Sequence, residues 1–361
     1  MEQYDQSWMD RIRDAFRDSL LMRSGLVTVL VLTGVLGSVI GLWILHMHGG
    51  IHKVIAVKYQ QDRVVGGRPG GMDLVRLNRL PMAATMTPEF LSAVVTPGVG
   101  MQLLQTTINV PSQGEVPLLV SSNYETRTDT SSDITGSPIV VSSAGKNGAH
   151  WDEPVNLLFQ RQADRVTTNA MPDGGGTDAL FSGVPKTGRT NDNGIQTNIT
   201  FNLSGHALEL SVIARNVIEE PRSVALSWQP KFQIPGGVGS MMLVPPMVEG
   251  SSPGVTANAI AIGSRNLNTT YTKLKHSYLG GGPEAQLRDD ADGYILHLTA
   301  VSASVRSLHV ESSQGGNWVT LSFSTASGEG GDDTRTVLQP GESLQMRLRL
   351  EVTGISSYYN R

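Results

Sequence analysis

Residues 196–215 read QTNITFNLSGHALELSVIAR, and this stretch decides the fold class. Thr197, Ile199, Phe201 and Leu203 alternate with Asn198, Thr200 and Asn202, the period of two that a half-buried strand requires. Ser204, Gly205, His206 and Ala207 supply turn chemistry, and Leu208, Leu210 and Val212 then resume the alternation. An antiparallel hairpin is expected here.

Outward from that hairpin the same texture continues. Short β-rich runs occupy 54–59, 101–110, 116–120, 222–228, 294–299, 318–324 and 344–352. Glycine clusters punctuate them at Gly70-Gly71, Asp173-Gly174-Gly175-Gly176, Asp192-Asn193-Gly194, Gly280-Gly281-Gly282, Gly315-Gly316 and Gly330-Gly331. Residues 48–361 are therefore expected to form one all-β domain, a large antiparallel β-sandwich. Segments 121–137 and 172–193 are expected to be long surface loops. No period suggests a propeller.

The chain has 361 residues, 40 of them Gly and none Cys, with a net charge of −4. The lack of Cys excludes disulfides, thiolate metal sites and cysteine nucleophiles. The charge provides no basic excess to neutralise phosphates, which argues against nucleic acid as a partner. Mean hydropathy is −0.11, but that average hides an apolar run. From Gly25 to Leu45 the sequence is GLVTVLVLTGVLGSVIGLWIL, without one charge. At 1.5 Å per residue a helix of this length reaches ~32 Å, enough for a hydrocarbon core of ~30 Å. Trp43 sits near one end, where interfacial aromatics belong. A single transmembrane helix over 24–47 is expected, with the bilayer as its first partner. The run is too long for a signal-peptide core, and no small-x-small site follows it.

Arg11, Arg13, Arg17 and Arg23 precede the span, against Lys53, Lys58 and Arg63 after it. With the short tail and the long C-terminal domain, this favours a cytoplasmic tail and a periplasmic or extracytoplasmic β domain. Thr33, Gly37 and Gly41 recur every four residues, with Gly34 and Ser38 alongside, a small-residue face that suits packing against a membrane-protein partner. In the tail, residues 1–23, Trp8, Ile12, Ala15, Phe16, Ser19 and Leu20 follow helical spacing, with Asp5, Asp10, Arg11, Arg13, Asp14, Arg17 and Asp18 on the other face. A short amphipathic helix is expected there.

Strong catalytic signatures are missing. Gly250-Ser251-Ser252-Pro253-Gly254 matches the letters of a nucleophile elbow, but Pro253 has no N–H for an oxyanion hole. His46, His48 and His52 have metal-ligand spacing without a local carboxylate, so headgroup-level polar residues are the plainer reading. Neither a metal nor another cofactor is expected. Asp289, Asp290 and Asp292 could meet a hard cation, or simply form a solvated turn before Tyr294. His150, Trp151, Asp152 and Glu153 combine a base, an aromatic face and two carboxylates, a set that could bind carbohydrate or form an exposed loop. Asn198, Asn202 and Asn268 open N-x-Ser/Thr sequons, relevant only in a glycosylating pathway.

Several segments, in order, resemble the galactose mutarotase-like superfamily, which includes the aldose 1-epimerases. The resemblance covers roughly residues 54–353. Ala93-Val94-Val95-Thr96-Pro97-Gly98-Val99-Gly100-Met101-Gln102-Leu103 is similar to the family's opening strand, glycine turn and next strand. Leu208-Glu209-Leu210-Ser211-Val212-Ile213-Ala214-Arg215-Asn216 resembles its L-x-L-x-x-x-A-x-N strand. Trp318-Val319-Thr320-Leu321 resembles the strand leading to its catalytic Glu, and Leu338-Gln339-Pro340-Gly341-Glu342 its L-x-P-G-E turn. The resemblance implies a mutarotase-like supersandwich. It also implies where a proton-transfer pair should stand. Gln229, in Trp228-Gln229-Pro230-Lys231-Phe232-Gln233-Ile234, occupies the family's His position, and Ser322 occupies its Glu position. Each such group contributes ~10²–10⁴-fold, so mutarotase activity is not expected.

The leading expectation is a membrane-anchored, non-catalytic accessory or structural subunit. The alternatives are an aldose 1-epimerase-like isomerase with a rearranged site, and a glycan-binding module of the cell envelope. Their candidate residues are His150, Trp151, Asp152, Glu153, His206, Trp228 and Gln229.

Overall fold

A computed structural model describes residues 62–65, 73–79, 87–111, 113–120, 137–147, 150–158, 161–171, 174–183, 194–250, 259–275, 282–327 and 335–355, with single helical positions between 10 and 38. The chain divides into two compact units, Met1–Ile55 and Ala56–Arg361.

In the first unit, Asp10, Arg11, Arg13, Asp14 and Arg17 are helical and exposed, while Asp5 and Asp18 of the expected charged face lie outside the described residues. Thr33, Gly34, Gly37 and Ser38 are also helical and exposed. The Ser38 hydroxyl donates to the Gly34 carbonyl at 2.8 Å, one turn back, and a Cβ added at Gly34 or Gly37 would meet nothing within 4 Å. Gly41, Trp43, the apolar positions of the tail and most of the 24–47 span lie outside the described residues. Among the described residues, no helix is long and apolar enough to cross a membrane.

The second unit is built from antiparallel strands. The first five are β1 (Asp62–Val65), β2 (Asp73–Asn78), β3 (Glu89–Thr96), β4 (Gln102–Val110) and β5 (Gly114–Pro117), paired in that order. Next come β6 (Ile139–Ala144), β7 (Lys146–Asn147), β8 (His150–Trp151), β9 (Val155–Asn156), β10 (Arg165–Met171), β11 (Gly174–Phe181), β12 (Ile195–Leu203), β13 (Ala207–Asn216), β14 (Arg222–Trp228) and β15 (Lys231–Gln233). The last are β16 (Met241–Val244), β17 (Ile260–Ala261), β18 (Leu267–Thr272), β19 (Glu284–Asp289), β20 (Tyr294–Ala300), β21 (Ser307–Ser312), β22 (Trp318–Ser324), β23 (Thr336–Leu338) and β24 (Ser343–Gly354). A nine-stranded sheet has the order β10-β11-β12-β13-β24-β20-β19-β16-β17. An eight-stranded sheet runs β18-β21-β22-β14-β6-β9, with β15 beside β22 and β23 beside β14.

The hairpin that opened the sequence reading is β12–β13, with Leu203 opposite Leu208 and Ile195 opposite Asn216. Its buried positions alternate along all nine residues of β12. Its turn docks on the five-stranded sheet: the Phe90 N–H donates to the Gly205 carbonyl at 2.8 Å. Arg79 and Glu89 form a buried ion pair there at 2.7 Å. A Cβ at Gly205 would stand 2.8 Å from the Arg79 guanidinium, so a larger residue there would push against that ion pair. The inward faces of the sheets share one hydrophobic core, with Val95 and Ile108 from the first, Leu210, Leu348 and Leu296 from the second, and Leu226, Trp228 and Phe323 from the third.

One expected loop is half wrong. Within 172–193, residues Gly174–Phe181 form β11, a strand between β10 and β12. Glycines 174, 175 and 176 are buried in the sheet rather than exposed in a turn. A Cβ at Gly174 would lie 1.6 Å from the Leu203 carbonyl oxygen, so Gly174 serves a close backbone approach. The expected strand 54–59 and most of the loop 121–137 lie outside the described residues.

Candidate functional site

The positions singled out by the resemblance meet on one face of the eight-stranded sheet. β14 and β15 both run against β22. Ser227 stands opposite Ser324 and Trp228 opposite Phe323, and Lys231 stands opposite Thr320. The register is continuous through Gln229 and Pro230, since the Leu321 N–H donates to the Pro230 carbonyl at 3.1 Å. Gln229 therefore lies across from Ser322. On the far side of β22, His309 is opposite Ser322 and Glu311 is opposite Thr320. One strand further, Thr270 is opposite His309 and Asn268 opposite Glu311.

Directly opposed residues of antiparallel strands share a face. One row thus reads Gln229, Ser322, His309, Thr270, and the next reads Lys231, Thr320, Glu311, Asn268. At 4.7–4.9 Å between strands, each row spans ~14 Å. The alternate residues Val310, Leu321 and Phe323 point into the core and are buried. The His309 Nδ1 and Thr270 Oγ1 are 3.0 Å apart. Lys231 Nζ lies 4.0 Å from the centre of the Trp318 ring, a cation–π contact. The face offers amide, hydroxyl, imidazole, carboxylate and ammonium groups in register, able to donate and accept hydrogen bonds along a polyol. Gln229 and Ser322 themselves cannot exchange a proton near neutral pH.

His309, Glu311, Lys231 and Trp318 were not singled out from the sequence. The polar alternation Trp318, Thr320, Ser322, Ser324 marks an outward face, but only strand pairing reveals that His309 stands beside it.

The remaining candidates are dispersed. His150, Asp152 and Glu153 are exposed and Trp151 is half-buried, with Lys146 Nζ 6.0 Å from its ring centre. They follow the Ala144 end of β6, whereas the Gln229 N–H donates to Pro138, just before the other end. Five residue steps at ~3.4 Å separate those ends by ~17 Å along the strand. His206 is exposed in the β12–β13 turn of the nine-stranded sheet. Trp228 is 1 % exposed and cannot present a ring to a sugar. The alternation of β14 and the pairing with Phe323 direct its side chain into the core, where its indole N–H has no partner.

Asp289 ends β19 as a buried residue, with Oδ1 accepting the N–H groups of Ala291 and Asp292 at 3.1 and 3.0 Å. Burial raises its carboxyl above the usual range. Asp290 instead pairs with Arg288 at 2.5 Å, and Asp292 accepts from Gln113. The three aspartates thus form a hairpin turn whose carboxylates point to separate partners. Among the described residues, no group of three His, Asp or Glu side chains is arranged to hold a metal. His46, His48, His52 and Ser251–Gly254 lie outside the described residues.

Neither a protein-family model nor a curated protein matches the chain. Solved structures do. A galactose mutarotase-like protein from Clostridium acetobutylicum aligns over 82 % of this chain and 98 % of its own, at 13 % identity and a TM-score of 0.57. Galactose 1-epimerase from Lactobacillus acidophilus aligns over 82 % and 99 %, at 13 % identity and a TM-score of 0.57. An aldose epimerase homologue from C. elegans aligns over 73 % and 96 %, at 11 % identity and a TM-score of 0.53. At such identities the likeness is one of fold: the chain has the architecture of the galactose mutarotase-like proteins.

Proposed function

We propose that this chain is a non-catalytic protein of mutarotase-like fold, held at a membrane by segment 24–47, that acts by binding as an accessory or structural subunit of a membrane complex. The observation that carries the reading is the Gln229–Ser322 pair. Mutarotation needs one group to take the anomeric hydroxyl proton and another to protonate the ring oxygen. An amide and a hydroxyl stand side by side where those groups are expected. The apolar run 25–45 and the exposed small residues Thr33, Gly34, Gly37 and Ser38 support an anchor with a helix partner.

A second reading, a glycan-binding or rearranged epimerase site, is favoured by His309 opposite Ser322, with Glu311, Lys231 and Trp318 on the same face. Polarimetry on the full chain in mild detergent separates the two. The leading reading expects several aldoses to mutarotate at the buffer rate, with a membrane protein co-purifying in constant proportion. Acceleration that His309→Ala abolishes moves the assignment to the second reading. A chain that always purifies alone counts against the subunit role.

A further inference from the structure

We infer that Thr353 is an acyl acceptor, activated by His297 and Glu284 on the outer face of the nine-stranded sheet. This site is distinct from the polar face of the eight-stranded sheet and does not rest on the function proposed above. β19, β20 and β24 lie side by side, and each contributes one member. Glu284 Oε1 is 2.7 Å from His297 Nδ1, and His297 Nε2 is 2.8 Å from Thr353 Oγ1. Gln286 Nε2 donates to the same Glu284 oxygen at 2.6 Å. Carboxylate, imidazole and hydroxyl thus form one line across three strands, in the order that activates a hydroxyl nucleophile.

The electrostatics agree with that order. The hydrogen bond from His297, opposed by burial and aided by Gln286, holds the Glu284 carboxyl below its ordinary 4.5. An ionised Glu284 accepts the Nδ1–H, which fixes the imidazole tautomer and turns the Nε2 lone pair toward Thr353. Glu351 also lies opposite His297, but Arg349 engages it at 2.7 Å. Thr353 is exposed near the end of β24, with Gly354 after it, so a small ester can reach it from solvent.

The step balances without a redox partner. Thr353 Oγ1 attacks the carbonyl carbon of an activated carboxylic ester, and its proton passes to His297 Nε2. The tetrahedral intermediate expels the alcohol, which takes that proton. The products are acylated Thr353 and free alcohol. His297 is the catalytic base and Glu284 a positioning residue.

The test is incubation of the folded full chain with p-nitrophenyl acetate, followed by peptide mass spectrometry and nitrophenolate release. Acetyl on Thr353 is expected, retained in Thr353→Ser and lost in Thr353→Val, a substitution close in shape. His297→Gln should slow acetylation at position 353 by ~10²-fold or more. Glu284→Gln should slow it and alter its pH profile, which a purely structural role would not do. Acetyl found only on lysines or the N-terminus overturns the inference. So does labelling of Thr353 at an unchanged rate in His297→Gln, the behaviour of an ordinary exposed hydroxyl.

Discussion

Glu284 and Asp289 end the same strand, and their surroundings shift them in opposite directions. Glu284 is held low by its hydrogen bond from His297. Asp289 is held high by burial, even though two backbone N–H groups reach its Oδ1. A carboxyl lowered in the folded state stabilises the fold above its ordinary pKa, and that contribution is lost as pH falls through the lowered value. Glu284→Gln should therefore cost about 1 kcal/mol near neutral pH, with the difference from wild type shrinking below 4.5. Asp289 has the opposite slope: its ionised form is disfavoured in the fold, so stability rises as pH falls through its raised value toward 3.8. Asp289→Asn should remove that slope. Denaturant midpoints measured against pH check both signs, and parallel curves for wild type and both variants would contradict them. At this scale the sequence shows that Gln229 and Ser322 are poor acid–base groups. It does not show that His309 stands beside them, because cross-strand neighbours are far apart in the chain: His309 and Ser322 are opposed through one hairpin, Gln229 and Ser322 through a long-range pairing.

Strands with clean alternation are legible at the scale of elements. β12, β13, β14, β20, β22 and β24 agree with the expected runs to within two residues at each end. The expected run 116–120 splits into β5 and a single bridge between Leu119 and Phe232. Glycine is where the reading of elements fails. Gly174, Gly175 and Gly176 look like a turn because glycine is costly in a strand, yet they form part of β11. Gly282 belongs to the same class: it precedes β19, and a Cβ there would stand 1.5 Å from the Ala300 carbonyl oxygen. Backbone cannot yield as a side chain can. Gly282→Ala should therefore destabilise the fold by ~1–3 kcal/mol through forced separation of the β19–β20 pair. Urea unfolding of the variant checks this, and an unchanged midpoint would mean that the two strands separate at no cost.

For the whole molecule, one core fills the second unit, drawing Val95, Leu348 and Phe323 from three different sheets. Among the described residues, that core lies within residues 56–361. A chain beginning at Ala56 should fold with the same β signature and the same thermal midpoint as the full chain. A lower midpoint by calorimetry would show that residues 1–55 contribute to the stability of the β unit. By itself the sequence determined the all-β character, the β12–β13 hairpin and the apolar run at 25–45, because each depends on a local period or a contiguous composition. Only the tertiary structure decided that Trp228 is core, that His150 to Glu153 lie at the far end of β6 from Gln229, and that Glu284, His297 and Thr353 form one hydrogen-bonded line. The reason is physical: antiparallel pairing sets which face each side chain shares, and the registers that bring distant strands together are fixed by the packing of the whole core.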